Sequence, residues 1–97
     1  MLRHVALFRW KDGTTEEQIR QIRLGLAELP SLIDEVRDYQ FGPDANLVDS
    51  TWDFAVVADF DDAEDWRTYR EHPAHRSVLD EHIDPAAAER ASVQFEI

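Results

Sequence analysis

The stretch LRHVALFRW, residues 2–10, alternates Leu2, His4, Ala6, Phe8 and Trp10 with Arg3, Val5, Leu7 and Arg9, so an extended chain there carries apolar groups on both sides. The stretch WDFAVVADF, residues 52–60, repeats the pattern, with Phe54, Val56, Ala58 and Phe60 on one side and Ala55 and Val57 on the other. A strand in a half-solvated antiparallel sheet reads apolar on one side only; strands apolar on both sides need a cover for each face.

Between these strands, KDG makes a turn and Thr14 stands three residues before Glu17, the spacing of a capping box. Ile19, Ile22, Leu26 and Leu29 then recur at helical intervals up to Pro30, which predicts an amphipathic helix. EVRDYQFG, residues 35–42, sets Arg37, Tyr39 and Phe41 against Val36, Asp38 and Gln40 and is expected as the second strand, ending at Gly42-Pro43. After residues 52–60, the acidic run DDAED suits a helix N-terminus beginning near Asp62. That helix carries Trp66 and Tyr69, is interrupted at His72-Pro73, resumes with His75, Val78, Leu79 and His82, and is expected to end at Pro85. RASVQFEI, residues 90–97, alternates Ala91, Val93, Phe95 and Ile97 and predicts a fourth strand.

The order βαββαβ predicts an α+β, ferredoxin-like sandwich with two helices on one face of an antiparallel sheet, a single domain over residues 1–97. Two helices cover one face only. The simplest cover for the other is a second copy of the same sheet, so a homodimer is expected, two sheets face to face around a barrel-like interior. On that reading a charge at Val56 should break the dimer. A chain of this length buries about 65% of its unfolded surface alone, and a partner would add to that.

Composition narrows the function. With 21 acids against 10 bases the formal net charge is −11, which argues against a nucleic-acid or anionic-membrane partner, since either needs a positive footprint. There is no cysteine, hence no disulfide, thiolate nucleophile or Cys-based zinc site. The first residues are too short and too charged an apolar run for a signal peptide or membrane span, and a cytoplasmic location is expected. Gly13, Gly25 and Gly42 are the only glycines, too few and too scattered for a phosphate loop. The two histidines of HPAH do not have the i, i+4 spacing of a zinc helix, so no metal and no cofactor are expected.

The pieces RHVALFRWKDG, the Gly42 that ends strand two, WDFAVVADFDDAEDWRTY and above all YREHPAH resemble the stress-responsive A/B barrel family, also called Dabb or dimeric α+β barrel, over nearly the whole chain. That family includes stress-induced proteins, a boiling-stable oligomer and a plant polyketide cyclase that closes a linear tetraketide into a resorcylic acid. The resemblance implies that Tyr69 and His75 work in a cavity that His4 lines.

The residue types fit such work. An imidazole with a reference pKa of about 6.5 can accept a proton alpha to a carbonyl near neutrality, the role expected of His75. A phenol such as Tyr69 can donate a hydrogen bond to the oxygen on which charge develops. The bland alternatives are a buried anchor for Tyr69, an ordinary first-turn residue for His75 and a satisfied core histidine for His4. His72 precedes a proline, is biased out of helical geometry, and is expected to bond a nearby backbone group. His82 is assigned no role. Ala6, Phe8, Tyr39 and Val56 are expected to bind substrate with His4, and Trp10 and Phe54 are further candidates for the wall. The expected function is binding of an apolar, carbonyl-bearing small molecule with cofactor-free acid/base chemistry of a cyclase or aldol type. The rivals are a non-catalytic stress or assembly protein and a monooxygenase of the same fold.

Overall fold

A computed structural model describes residues 1–49 and 51–97. Its elements run β1 (Leu2–Trp10), α1 (Glu16–Leu32), β2 (Asp38–Pro43), β3 (Phe54–Phe60), α2 (Ala63–Glu71), α3 (Pro73–Val78), a π-helical turn (Leu79–Ile83), a closing helical turn (Asp84–Ala86) and β4 (Ala87–Glu96). This is the ferredoxin-like βαββαβ order. The strands form one antiparallel sheet in the order β2-β3-β1-β4. β1 lies inside it, pairing with β3 from Leu2↔Phe60 to Phe8↔Phe54 and with β4 from Leu2↔Glu96 to Trp10↔Ala87.

Parity divides the sheet. Ala6, Phe8, Phe54, Val56, Ala58 and Phe60 are buried and form the core with Ile22, Leu26 and Leu29 of α1, Tyr69 of α2, Val78 of α3, and Ile83 and Ala86 beyond it. Val56 therefore faces the helices. A charge there would break the core, and the expectation that it would break an interface is corrected. The other face carries Val5, Leu7, Ala55, Val57, Ala91, Val93 and Phe95, with Val93 57% and Phe95 45% exposed. On that face Arg3 makes a two-pronged contact with the buried Asp59, Nε to Oδ1 at 2.8 Å and Nη2 to Oδ2 at 2.9 Å. The guanidinium holds the Asp59 carboxyl below the usual carboxylate range.

Several boundaries differ from the sequence reading, each for a local reason. The capping box uses Thr15 and Gln18: the Gln18 amide donates to Thr15 Oγ1 at 3.1 Å, and the Thr15 amide donates to Gln18 Oε1 at 2.8 Å. Thr14 instead donates its hydroxyl to the Lys11 carbonyl at 2.7 Å, closing the turn in which Gly13 takes φ +82°. α1 runs past Pro30 to Leu32, because buried Leu29 and Ile33 hold the last turn on the core, with Ile33 N–H on the Leu29 carbonyl at 2.9 Å. β2 starts at Asp38 because the Val36 amide is taken by the Ile33 carbonyl in a turn. β4 starts at Ala87 because a register shift at Arg9/Trp10 extends the ladder there, and Pro85 lies inside the closing turn.

The expected start of α2 stands, with Asp62 as N-cap accepting from Asp65 N–H at 2.9 Å. The break at His72-Pro73 also stands: His72 is extended (φ −62°, ψ 135°), Pro73 opens α3, and His72 Nδ1 accepts from Ala74 N–H at 3.0 Å. The ring thus caps α3, the structural job expected of it. α3 comes close to α1 at Gly25, where an added Cβ would stand 3.2 Å from Val78 Cγ2.

Leu26→Ala removes a nearly fully buried side chain and is expected to cost about 2–5 kcal/mol, whereas Thr15→Ala, which removes the α1 cap, is expected to cost about 1 kcal/mol. Urea unfolding of both variants checks this, and a larger loss at Thr15 than at Leu26 would contradict it.

Candidate functional site

A cavity of about 490 Å³ lies between the inner face of the sheet and the helical layer. β1 supplies His4, Ala6 and Phe8, β2 Tyr39 and β3 Val56; α2 supplies Trp66, Tyr69 and Arg70, and α3 His75 and Arg76. Leu79 and Ile83, the two ends of the π-helical turn, both reach it, with Arg90, Ser92 and Gln94 of β4 opposite. All seven residues expected from sequence thus meet at one site: His4, Ala6, Phe8, Tyr39, Val56, Tyr69 and His75. The cavity lies inside one protomer, under the helices, because the His4 parity of β1 faces them. Trp10 and Phe54 do not line it; they pack on each other, centroids 5.7 Å apart, with Phe54 buried and Trp10 half-buried.

Tyr69 is the hub. It is buried, with its ring 4.2 Å from that of His75, 5.1 Å from Phe60, 6.0 Å from Tyr39 and 6.2 Å from His4, centroid to centroid. Its hydroxyl lies 2.8 Å from the Tyr39 hydroxyl, with either able to donate. Burial pushes the Tyr69 phenol up to about 12, against the opposing pull of the Tyr39 hydrogen bond. Burial, then the Tyr69 neighbour, raises Tyr39 as well. Both phenols keep their protons at neutral pH and serve as donors.

The histidines are shifted the other way. His75 Nδ1 lies 3.1 Å from the Arg70 carbonyl, which can only accept, so Nδ1 carries the hydrogen and Nε2 the lone pair. Burial lowers the His75 pKa, only partly offset by that carbonyl. His4 is lowered to about 4, by burial and then by the nearness of His75, against the opposing pull of the Gln94 side chain. Its Nδ1 is buried with no hydrogen-bond partner among the described residues, and Trp66 flanks the ring at 6.0 Å. Both rings are therefore neutral near pH 7.

Sequence reading missed Trp66, Arg70, Arg76, Leu79, Ile83, Arg90 and Gln94 as lining residues. Their approach depends on how α2, α3 and β4 are set in space; the only local cue was the period that placed Trp66 one turn before Tyr69.

Residues 2–97 match the family model for the stress responsive A/B barrel domain. The chain belongs to that family. A dimeric ferredoxin-like protein from Thermobifida fusca is 45% identical to this A/B barrel domain, with a TM-score of 0.92 over 99% of this chain and 90% of that one. An uncharacterized protein of Streptomyces coelicolor is 34% identical over 80 residues, 79% of this chain and 81% of its own. The hydroxynitrile lyase of Passiflora edulis shares the fold, with a TM-score of 0.85 at 20% identity over 99% of this chain and 92% of that one. Among the described residues no helix is long and apolar enough to cross a membrane.

Because His4 is depressed to about 4 from an unfolded value near 6.5, the unfolded chain binds more protons between those limits. The contribution of this buried neutral ring is present above about pH 6.5 and is lost as pH falls toward 4. The urea midpoint of the parent should fall across that window, and His4→Gln should fall less steeply; equal slopes would refute the assignment.

Proposed function

We propose that this A/B barrel domain is a homodimer in which each protomer's cavity binds a carbonyl compound and moves a proton on it without a cofactor. The carrying observation is the division of protonation states around Tyr69: a neutral imidazole with its Nε2 lone pair left over, 4.2 Å by ring centroid from a phenol that keeps its proton. Groups pushed apart in this way divide into base and acid. His75 Nε2 takes the proton from the carbon alpha to the carbonyl, and the electron pair of that bond moves onto the carbonyl oxygen. Tyr69 O–H donates to the resulting enolate oxygen, and Tyr39, donating in turn to the Tyr69 oxygen, frees the Tyr69 hydrogen for that task. The enolate carbon then attacks a second carbonyl, whose π pair moves onto its oxygen and takes the proton back from His75, as in an aldol or polyketide cyclisation; otherwise the enolate carbon itself recovers the proton from His75.

His4, Ala6, Phe8 and Val56 shape the wall against which the substrate lies. The Passiflora edulis hydroxynitrile lyase supports the reading only as fold analogy: carbonyl chemistry is carried on this architecture. The homodimer rests on the open sheet face, with Val93, Phe95 and Ile97 each about half exposed, and on the dimeric Thermobifida fusca relative. A cytoplasmic location suits a cysteine-free, strongly acidic chain.

Exchange of the alpha hydrogens of a β-keto thioester into deuterated water, followed by NMR, tests the site. His75→Ala and Tyr69→Phe should each slow it by roughly 10²- to 10⁴-fold, while His72→Ala mainly lowers Tm. The rate should rise with pH through the titration of His75, with a midpoint below the ordinary histidine value. A parent protein that neither exchanges nor binds such a compound would favour the stress or assembly role.

Sedimentation tests the assembly. The 11.3 kDa chain should run as a dimer at micromolar concentration, and Val57→Glu, on the open face, should give monomers. A monomeric parent would sink the dimer.

A further inference from the structure

The cavity is charged against the sign of the whole molecule. The chain carries 21 acids and 10 bases, yet among the described residues no Asp or Glu lines this space, while Arg70, Arg76 and Arg90 do. Arg3, Arg9, Arg20, Arg37 and Arg90 each hold a carboxylate; Arg90 Nη2 is 2.7 Å from Asp84 Oδ1. Among the described residues Arg70 and Arg76 make no ion pair, nor do Lys11, Arg23 and Arg67, but of these five only Arg70 and Arg76 line the cavity. The Arg70 guanidinium lies over the Trp66 ring, 5.5 Å from its centroid. Both stand in the last turn of their helices, where the dipole favours a cation. The dipole accounts for their charge; it does not account for two cavity-lining guanidiniums left without carboxylates on so acidic a chain.

Their position relative to the proton-transfer groups is fixed by the chain. Arg76 follows His75 directly, and the Arg70 carbonyl is the one that holds His75 Nδ1. The remainder of the wall is apolar at Phe8, Val56, Leu79 and Ile83. One part of the cavity therefore suits an apolar body and another an oxyanion, with the space, about 490 Å³, sized for one small molecule.

We propose that the cavity selects apolar molecules bearing a carboxylate, which Arg76 and Arg70 bind at the mouth while the apolar body lies on Phe8 and Val56. This deepens the proposed function by naming its substrate class and rests on the same cavity. Guanidinium groups suit the role because their planar donor fork matches a carboxylate. In a chain of net charge −11 they also supply a local attraction that offsets the long-range repulsion of an anion.

The test compares 2-naphthoate with its neutral amide, 2-naphthamide, by fluorescence or NMR titration of the full chain. The carboxylate should bind about 5- to 10-fold more tightly at low salt, a modest ratio because the two guanidiniums are partly exposed to water. The preference should vanish in Arg70→Gln/Arg76→Gln, with the affinity for the amide unchanged. In the parent it should shrink as salt is raised to about 0.5 M, a readout independent of whether the double variant folds. Equal binding of acid and amide, a preference that survives the double substitution, or failure of both probes to bind would each overturn the inference. The proton-transfer reading fails separately. An arginine-dependent carboxylate preference without alpha-hydrogen exchange leaves this inference standing and removes the catalytic one, and exchange without a carboxylate preference does the reverse.

Discussion

A four-stranded sheet with helices on one face only is the constraint from which the other features follow. The helical layer buries Phe54, Val56, Ala58 and Phe60 and closes over β3 and β1, but it does not reach fully across β4, whose inner positions Arg90, Ser92 and Gln94 border the cavity. The same one-sided cover leaves Val5, Leu7, Val57, Val93 and Phe95 on the other side of the sheet. Cavity and open face are thus two consequences of one shortage of helix. They lie on opposite sides of β1, so adjacent residues such as His4 and Val5 serve different ends.

Within the cavity, burial sets the chemistry more than any single charge. The same desolvation that lowers His4 and His75 raises Tyr39 and Tyr69, because each group is driven toward its neutral form. A neutral imidazole and a protonated phenol thus stand side by side without a carboxylate between them. The chain break at His72-Pro73 matters for the same reason. His72 gives its ring to the Ala74 amide, α3 restarts in a new direction, and His75 comes down on the Tyr69 ring with Nδ1 on the Arg70 carbonyl. Gly25 lets Val78 of α3 approach α1 closely, so part of what positions His75 lies on the far side of its own helix.

Much of this was legible in the sequence. Period-two alternation through residues 2–10 and 54–60 fixed which side chains share a face, since a strand cannot turn one residue without turning all. The helical period, the acidic start at Asp62 and the His72-Pro73 break gave the βαββαβ order for equally local reasons. The same parity grouped His4, Ala6 and Phe8, and family resemblance joined Tyr69 and His75 to them. Element ends were less legible: Thr14 and Thr15 compete for one cap, and only the hydrogen bonds of the folded turn decide between them.

The tertiary structure alone decided which sheet face the helices take, and so that Val57 and not Val56 lies on the open side. Alternation labels two faces without saying which is inside. It also decided that Tyr39, thirty residues before Tyr69, meets it hydroxyl to hydroxyl, and that Arg70, Arg76 and Arg90 border one space free of acid. Those juxtapositions join separate elements, and no local period along the chain encodes the distance between residues that only packing brings together.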